Sequence, residues 1–139
     1  DLTLPPPSGS KATLVYDKGT AAGFMGAVGG YRRNVEGIYL LGPHPATLGG
    51  RSAVLSSQGI TPPNLSKHVG HPHTKPVDVM VALLSPVLES VADPFAGSGS
   101  TLVAARQRGL AAVGVELDEA YCEIAALRLS QGVLFGAGA

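Results

Sequence analysis

Asp93-Pro94-Phe95-Ala96-Gly97-Ser98-Gly99-Ser100-Thr101 is the stretch that decides how this 139-residue chain folds. Immediately before it, Leu88 to Ala92 is a short apolar run that predicts a buried strand, with Asp93 marking its carboxyl end. Immediately after it, Thr101 to Gln107 is Ala-rich and predicts a helix, with Gly109 in the C′ place that stops it. Ala111 to Leu117 then reads as a strand of the buried parallel type. Asp118 can cap a further helix from Glu119 to about Leu129, and Glu119 suits the positive helix start. Strand, glycine turn, helix, strand and helix make a βαβ unit, whose crossover is expected to be right-handed. The fold class is therefore α/β.

The turn carries chemistry as well as topology. Gly97 and Gly99 let the backbone reverse at the carboxyl edge of the sheet, where a side chain would block a close ligand. Glu116 stands at the end of the next strand, where an acid accepts hydrogen bonds from ribose hydroxyls. Together they predict a site for an adenosine-containing cofactor. A dinucleotide fingerprint needs a third glycine three residues after Gly99, and that position is Leu102. Asp93 would also repel a pyrophosphate and favour a positive group, such as the ammonium of S-adenosylmethionine. No GxxxxGK phosphate loop is present. From these residues alone, a nicotinamide-dependent oxidoreductase is disfavoured, and a tight turn without ligand stays open.

Outward from the turn the pattern weakens. Pro76 reads as the first residue of a helix whose buried face is Val77, Met80, Val81 and Leu84, ended by Ser85-Pro86. Pro43 to Lys75 keeps no period of two or 3.6 and reads as one long loop. Gly37 to Gly42 and Ala12 to Tyr16 predict buried strands, the latter closed by the turn Asp17-Lys18-Gly19. Ala21 to Gly30 is a Gly-rich loop, residues 1–11 a Pro-rich lead-in and residues 132–139 a small-residue tail.

Composition bounds the class. One domain over residues 1–139 is expected from the length. A hydrophobic content of 45% and mean hydropathy of +0.23 exclude a disordered chain. A single Cys excludes a disulfide framework and fits a reducing, cytoplasmic compartment. That residue, Cys122, is expected to be a buried core thiol, with Tyr121 beside it in the core. The zero net charge hides an asymmetry: residues 1–75 carry seven Lys/Arg against three Asp/Glu, and residues 76–139 carry three against seven. A basic half beside an acidic half suggests a polyanion on one side, with Arg32 and Arg33 as candidate contacts to its phosphates. His68, His71 and His73 lie close together, but no Cys or acid completes a set, and no metal is assigned.

The turn resembles the cofactor motif of the DNA adenine-N6/cytosine-N4 methyltransferases. Upstream, His71-Pro72-His73-Thr74-Lys75-Pro76 is similar to the histidine–proline–threonine–glutamine–lysine–proline motif of members whose cofactor half follows the catalytic half. His73 and Thr74 depart from it. Val113-Gly114-Val115-Glu116-Leu117-Asp118 resembles the family's ribose-binding strand end. The resemblance covers residues 71–129 and is weaker before residue 70. It implies a Rossmann-like, three-layer S-adenosylmethionine-dependent methyltransferase fold, within which residues 12–70 form the DNA-facing part and residues 71–131 the cofactor part. It implies that Asp93, Phe95, Gly97 and Gly99 line the methionine end of the cofactor, with Ala96, Ser98 and Thr101 of the same segment in the site. Thr74 and Lys75 would reach the methionine carboxylate, Glu116 the ribose and Leu117 the adenine. The implied partner is DNA, as in restriction–modification.

One family element has no counterpart here. The catalytic tetrapeptide is Asp, Ser or Asn, then Pro-Pro, then an aromatic residue that stacks on a flipped base. Leu4-Pro5-Pro6-Pro7 lacks the polar residue, and Thr61-Pro62-Pro63-Asn64 lacks the aromatic. The catalytic residues stay unassigned. The expectation is a stretch that begins just after that motif, with an incomplete sheet and no turnover of its own. A non-catalytic remnant that binds the cofactor or DNA is the alternative.

Overall fold

The computed structural model describes residues 5–19, 29–31, 34–42, 50–57, 65–87 and 89–131. The chain divides into two compact units, residues 1–58 and 59–139.

In the first unit, β1 (Ser10–Asp17) is the central strand of three. It pairs antiparallel with β2 (Val35–Leu41), Tyr16 opposite Glu36, and parallel with β3 (Val54–Ser56), Val15 opposite Val54. The run Thr13-Leu14-Val15-Tyr16 suits a pleated surface, and Tyr16 is its buried residue. Asp17 Oδ1 accepts the Gly19 N–H at 2.8 Å and closes β1 in the turn that Asp-Lys-Gly predicts. The next residue, Lys18, donates to Glu36 Oε1 at 3.2 Å.

The second unit runs α1 (Leu65–Val69), α2 (Val77–Leu83), β4 (Ser90–Asp93), α3 (Ser100–Gln107), β5 (Ala111–Gly114) and α4 (Glu119–Gln131). Strands β4 and β5 pair in parallel, with Asp93 opposite Gly114. The core is Leu84 with Ala104 and Ala105, against which Val77, Met80, Val81, Val87, Val91 and Leu110 pack. Ala104 and Ala105 are 0% exposed, and their short side chains let α2 and α3 approach closely. Helix α3 ends in a Schellman turn: Leu110 N–H donates to Ala105 O at 2.9 Å and Gly109 N–H to Arg106 O at 3.0 Å, with Gly109 at φ 67°. Arg108 Nη1 donates to the Leu84 carbonyl and ties the end of α2 to the end of α3. Asp118 Oδ1 accepts the Ala120 N–H at 2.9 Å and caps α4 as expected.

Four expectations need correction. The stretch 43–75 contains β3 and α1, three and five residues long. Pro76 lies just outside α2 as its N-cap, at ψ 136°, rather than as its first residue. Strand β5 ends at Gly114 and not at Leu117, because the ladder with β4 stops at the pair Asp93–Gly114, where β4 enters the turn. Nor is β5 buried: all four of its residues are exposed. Among the described residues β4 has β5 as its one partner strand, so the sheet is small and incomplete. No helix among them is long and apolar enough to cross a membrane.

Candidate functional site

The turn between β4 and α3 is built from both of its flanks. Asp93 Oδ1 accepts the Phe95 N–H at 3.1 Å. Val115 N–H donates to Asp93 O, and Ala96 N–H to Val115 O, both at 2.9 Å, so the two strand ends stay joined past the ladder. Gly97 at φ 52° and Gly99 at φ 76° both take the left-handed conformation that a side chain disfavours. The protein's own atoms crowd these glycines. A Cβ on Gly97 would meet His71 Nε2 at 3.0 Å, and one on Gly99 would meet the Ala125 Cβ of α4 at 2.9 Å. The place of the missing third glycine is also explained. Leu102 of α3 fits against β5 because the strand carries Gly114, whose Cβ would lie 2.7 Å from Leu102 Cδ1. Helix and strand still approach closely; the glycine has moved to the strand.

Glu116 faces this turn. Its Oε2 accepts the Gly97 N–H at 2.7 Å, and its Oε1 accepts the N–H groups of Leu117 at 2.8 Å and Asp118 at 3.0 Å. The Asp118 N–H first, then that of Gly97, hold the carboxyl below the ordinary carboxylate range. Two carboxylate oxygens offer about four acceptor positions, so three N–H donors orient the group and leave capacity for a ligand hydroxyl. Apolar side chains surround this charge in the open: Phe95 is 87% and Leu117 100% exposed, and Val113 and Val115 of the same edge are exposed too. Polar backbone flanked by bare apolar side chains at the carboxyl end of a parallel pair is the arrangement of a ligand site. Below Gly97, the His71 ring stands edge-on to Tyr121, centroids 4.3 Å apart, and His71 Nδ1 accepts the His73 N–H at 3.2 Å. Tyr121 is half-buried. Cys122 is not the buried thiol expected: it is exposed, with Sγ 3.5 Å from the Glu116 carbonyl, because α4 turns that face outward.

Behind the turn lies a polar network that connects the remaining candidates. Ser98, 3% exposed, and Ser100 are both buried. Thr74 Oγ1 donates to the His71 carbonyl at 3.0 Å and lies 3.1 Å from Ser98 Oγ. Ser100 Oγ donates to the Lys75 carbonyl at 2.8 Å. Arg128 of α4 points Nη1 at Ser98 O, Ser98 Oγ and Ser100 Oγ, at 2.5, 3.1 and 3.2 Å. Burial pushes the guanidinium below its ordinary pKa, and these acceptors offset that penalty. The structure therefore brings Thr74, Lys75, Asp93, Phe95, Ala96, Gly97, Ser98, Gly99, Glu116 and Leu117 around one turn, with Thr101 in the first turn of α3. Arg128 was not legible as part of it, since an arginine near a helix C-terminus already has a reason to be there. Arg32, Arg33 and Thr61-Pro62-Pro63-Asn64 lie outside the described residues.

Comparison with known proteins closes the assignment. Residues 33–127 match the N6/N4 methyltransferase family model, described as DNA methylase. The chain belongs to this family. YubD of Escherichia coli (strain K12), named as a methylase, is 44% identical over 71 residues, which cover 46% of this chain and 31% of that protein. The type II methyltransferase M2.LlaDCHI of Lactococcus lactis subsp. cremoris is 35% identical over 69 residues, 48% of this chain and 26% of that protein. The chain thus matches less than a third of the length of these relatives. Among solved structures, that of the M1.HpyAVI–SAM complex superposes with a TM-score of 0.64 at 21% identity, covering 86% of this chain and 62% of that one. The likeness extends the methyltransferase fold across most of the chain.

Proposed function

We propose that this chain is the cofactor-holding part of an S-adenosylmethionine-dependent DNA methyltransferase that acts on the exocyclic amino group of adenine or cytosine. The observation that carries the reading is Glu116, tied by its carboxylate to Gly97 and flanked by the bare side chains of Leu117 and Phe95. Glu116 uses its remaining acceptor capacity for the ribose hydroxyls. Leu117 covers the adenine, and Phe95 and Asp93 line the methionine end. Thr74 spends its one proton on the His71 carbonyl, so Lys75 meets the methionine carboxylate. The cofactor supplies a methyl group already activated on a sulfonium. What this chain contributes is position, since holding donor and acceptor in line is the main catalytic requirement.

DNA is the proposed partner of the basic stretch that includes Arg32 and Arg33, in a cytoplasmic setting. The catalytic tetrapeptide is absent from these 139 residues, so this stretch is proposed to bind without transferring. An upstream segment or a second copy would supply the strand beside β4. Calorimetry on the 139-residue chain tests the reading with three titrants: S-adenosylmethionine, NAD, and a DNA duplex at low and high salt. The expected result is binding of the first over the second, and DNA affinity that falls steeply with salt. Preference for NAD would overturn the cofactor assignment. Salt-independent DNA binding would remove phosphate contacts from the account.

A further inference from the structure

We infer that Arg128 is a positioning residue that sets the methionine end of the site, acting through two hydrogen-bond relays to the segment 71–75; this rests on the cofactor reading above. The direction of both relays follows from proton counting. A guanidinium only donates, and each hydroxyl has one proton to give. Thr74 gives its proton to the His71 carbonyl, so in its contact with Ser98 it accepts, and Ser98 Oγ is the donor. The first relay therefore runs from Arg128 through Ser98 and Thr74 to the His71 carbonyl. The second runs from Arg128 through Ser100 to the Lys75 carbonyl. Arg128 also holds the Ser98 carbonyl itself, just before left-handed Gly99. One turn earlier on the same helix, Ala125 abuts Gly99. Helix α4 thus locates the turn by contact and then, through Arg128, locates Thr74 and Lys75 against it.

The adenosine end hangs on a different set of bonds. Glu116 is held by Gly97, Leu117 and Asp118, none of which belongs to the relays. A guanidinium placed only to support the fold would affect the whole ligand evenly. A guanidinium that positions the segment 74–75 affects only the part of the ligand that Lys75 touches. Lysine is not an equivalent replacement, because all three contacts are made by Nη1, and the lysine ammonium sits on a shorter stem that stops short of that position.

The test compares S-adenosylmethionine with 5′-methylthioadenosine, which keeps the adenosine and lacks the amino acid, on wild type, Arg128→Lys and Ser98→Ala. Melting curves accompany each protein. Ser98→Ala keeps the carbonyl that Arg128 holds and cuts only the relay to Thr74. Both variants are expected to lose up to about tenfold in affinity for S-adenosylmethionine, the scale of one neutral hydrogen bond, and to keep that for methylthioadenosine. Equal losses on both ligands, or no loss on either, would overturn the inference. If Arg128→Lys fails to fold, Ser98→Ala decides by the same criterion. A wild type that binds neither ligand would instead sink the cofactor reading on which the inference rests.

Discussion

At Glu116 a single side chain does two jobs. Its carboxylate orders the turn by accepting three backbone N–H groups and still offers acceptor positions to a ligand. The same donors hold its pKa down, and the sign of the pH effect follows. A depressed carboxyl pKa contributes stability that is present above the unfolded value and is lost as pH falls through the folded value. Affinity for S-adenosylmethionine should therefore stay level from neutral pH down to the ordinary carboxylate range and fall only below it. Glu116→Gln should bind weakly at every pH, because the amide turns an NH2 group toward one of those N–H donors. Titration calorimetry at a series of pH values reads both effects. A decline that begins near pH 6, or a Gln variant as tight as wild type, would show that Glu116 is not the controlling group. The proposed role of Glu116 was visible in the sequence because a carboxylate at a strand end, one helix after a glycine turn, has few other uses. That of Arg128 was not, since its partners are two serines and a backbone carbonyl about thirty residues away.

Among the elements, legibility tracked length and packing. Helices α2, α3 and α4 were readable because the 3.6 period, the Gly109 stop and the Asp118 cap are local signals. In α2, however, the buried residue is Val79, off the predicted face, while Val77, Met80 and Val81 pack half-buried against the core. Strand β3 and helix α1 are too short to show a period at all. The apolar composition of β5 was read as burial, yet its residues face solvent, because apolar content reports what a strand can bury and not what covers it. The two glycines that close α3 separate the causes of glycine preference. Gly99 and Gly109 share a left-handed backbone, at φ 76° and 67°, but a Cβ strikes Ala125 at the first and nothing at the second. Gly109→Ala should cost about 1 kcal/mol, the price of the conformation alone. Gly99→Ala should cost about 1–3 kcal/mol more, the usual penalty for overpacking. Urea denaturation of the two variants checks this, and equal losses would mean that α4 does not press on the turn.

At the scale of the molecule, the described residues of two compact units carry two small sheets, and the family match spans residues from both units. The proposed cofactor half was legible because its candidate site residues are concentrated in one turn and one strand end. The first half was legible only as strands, since its proposed partner is read through charge, and charge at Arg32 and Arg33 leaves no sequence period to read. The turn at 97–99 and the edge at 116–118 are proposed to form one S-adenosylmethionine site. Amide chemical-shift mapping of the isotope-labelled chain during titration with that cofactor tests it most directly. The largest shifts are expected at the N–H groups of Gly97, Leu117 and Asp118, the three that Glu116 holds, with Gly99 moving alongside. Saturable shifts that leave these amides still and gather elsewhere in the chain would contradict it.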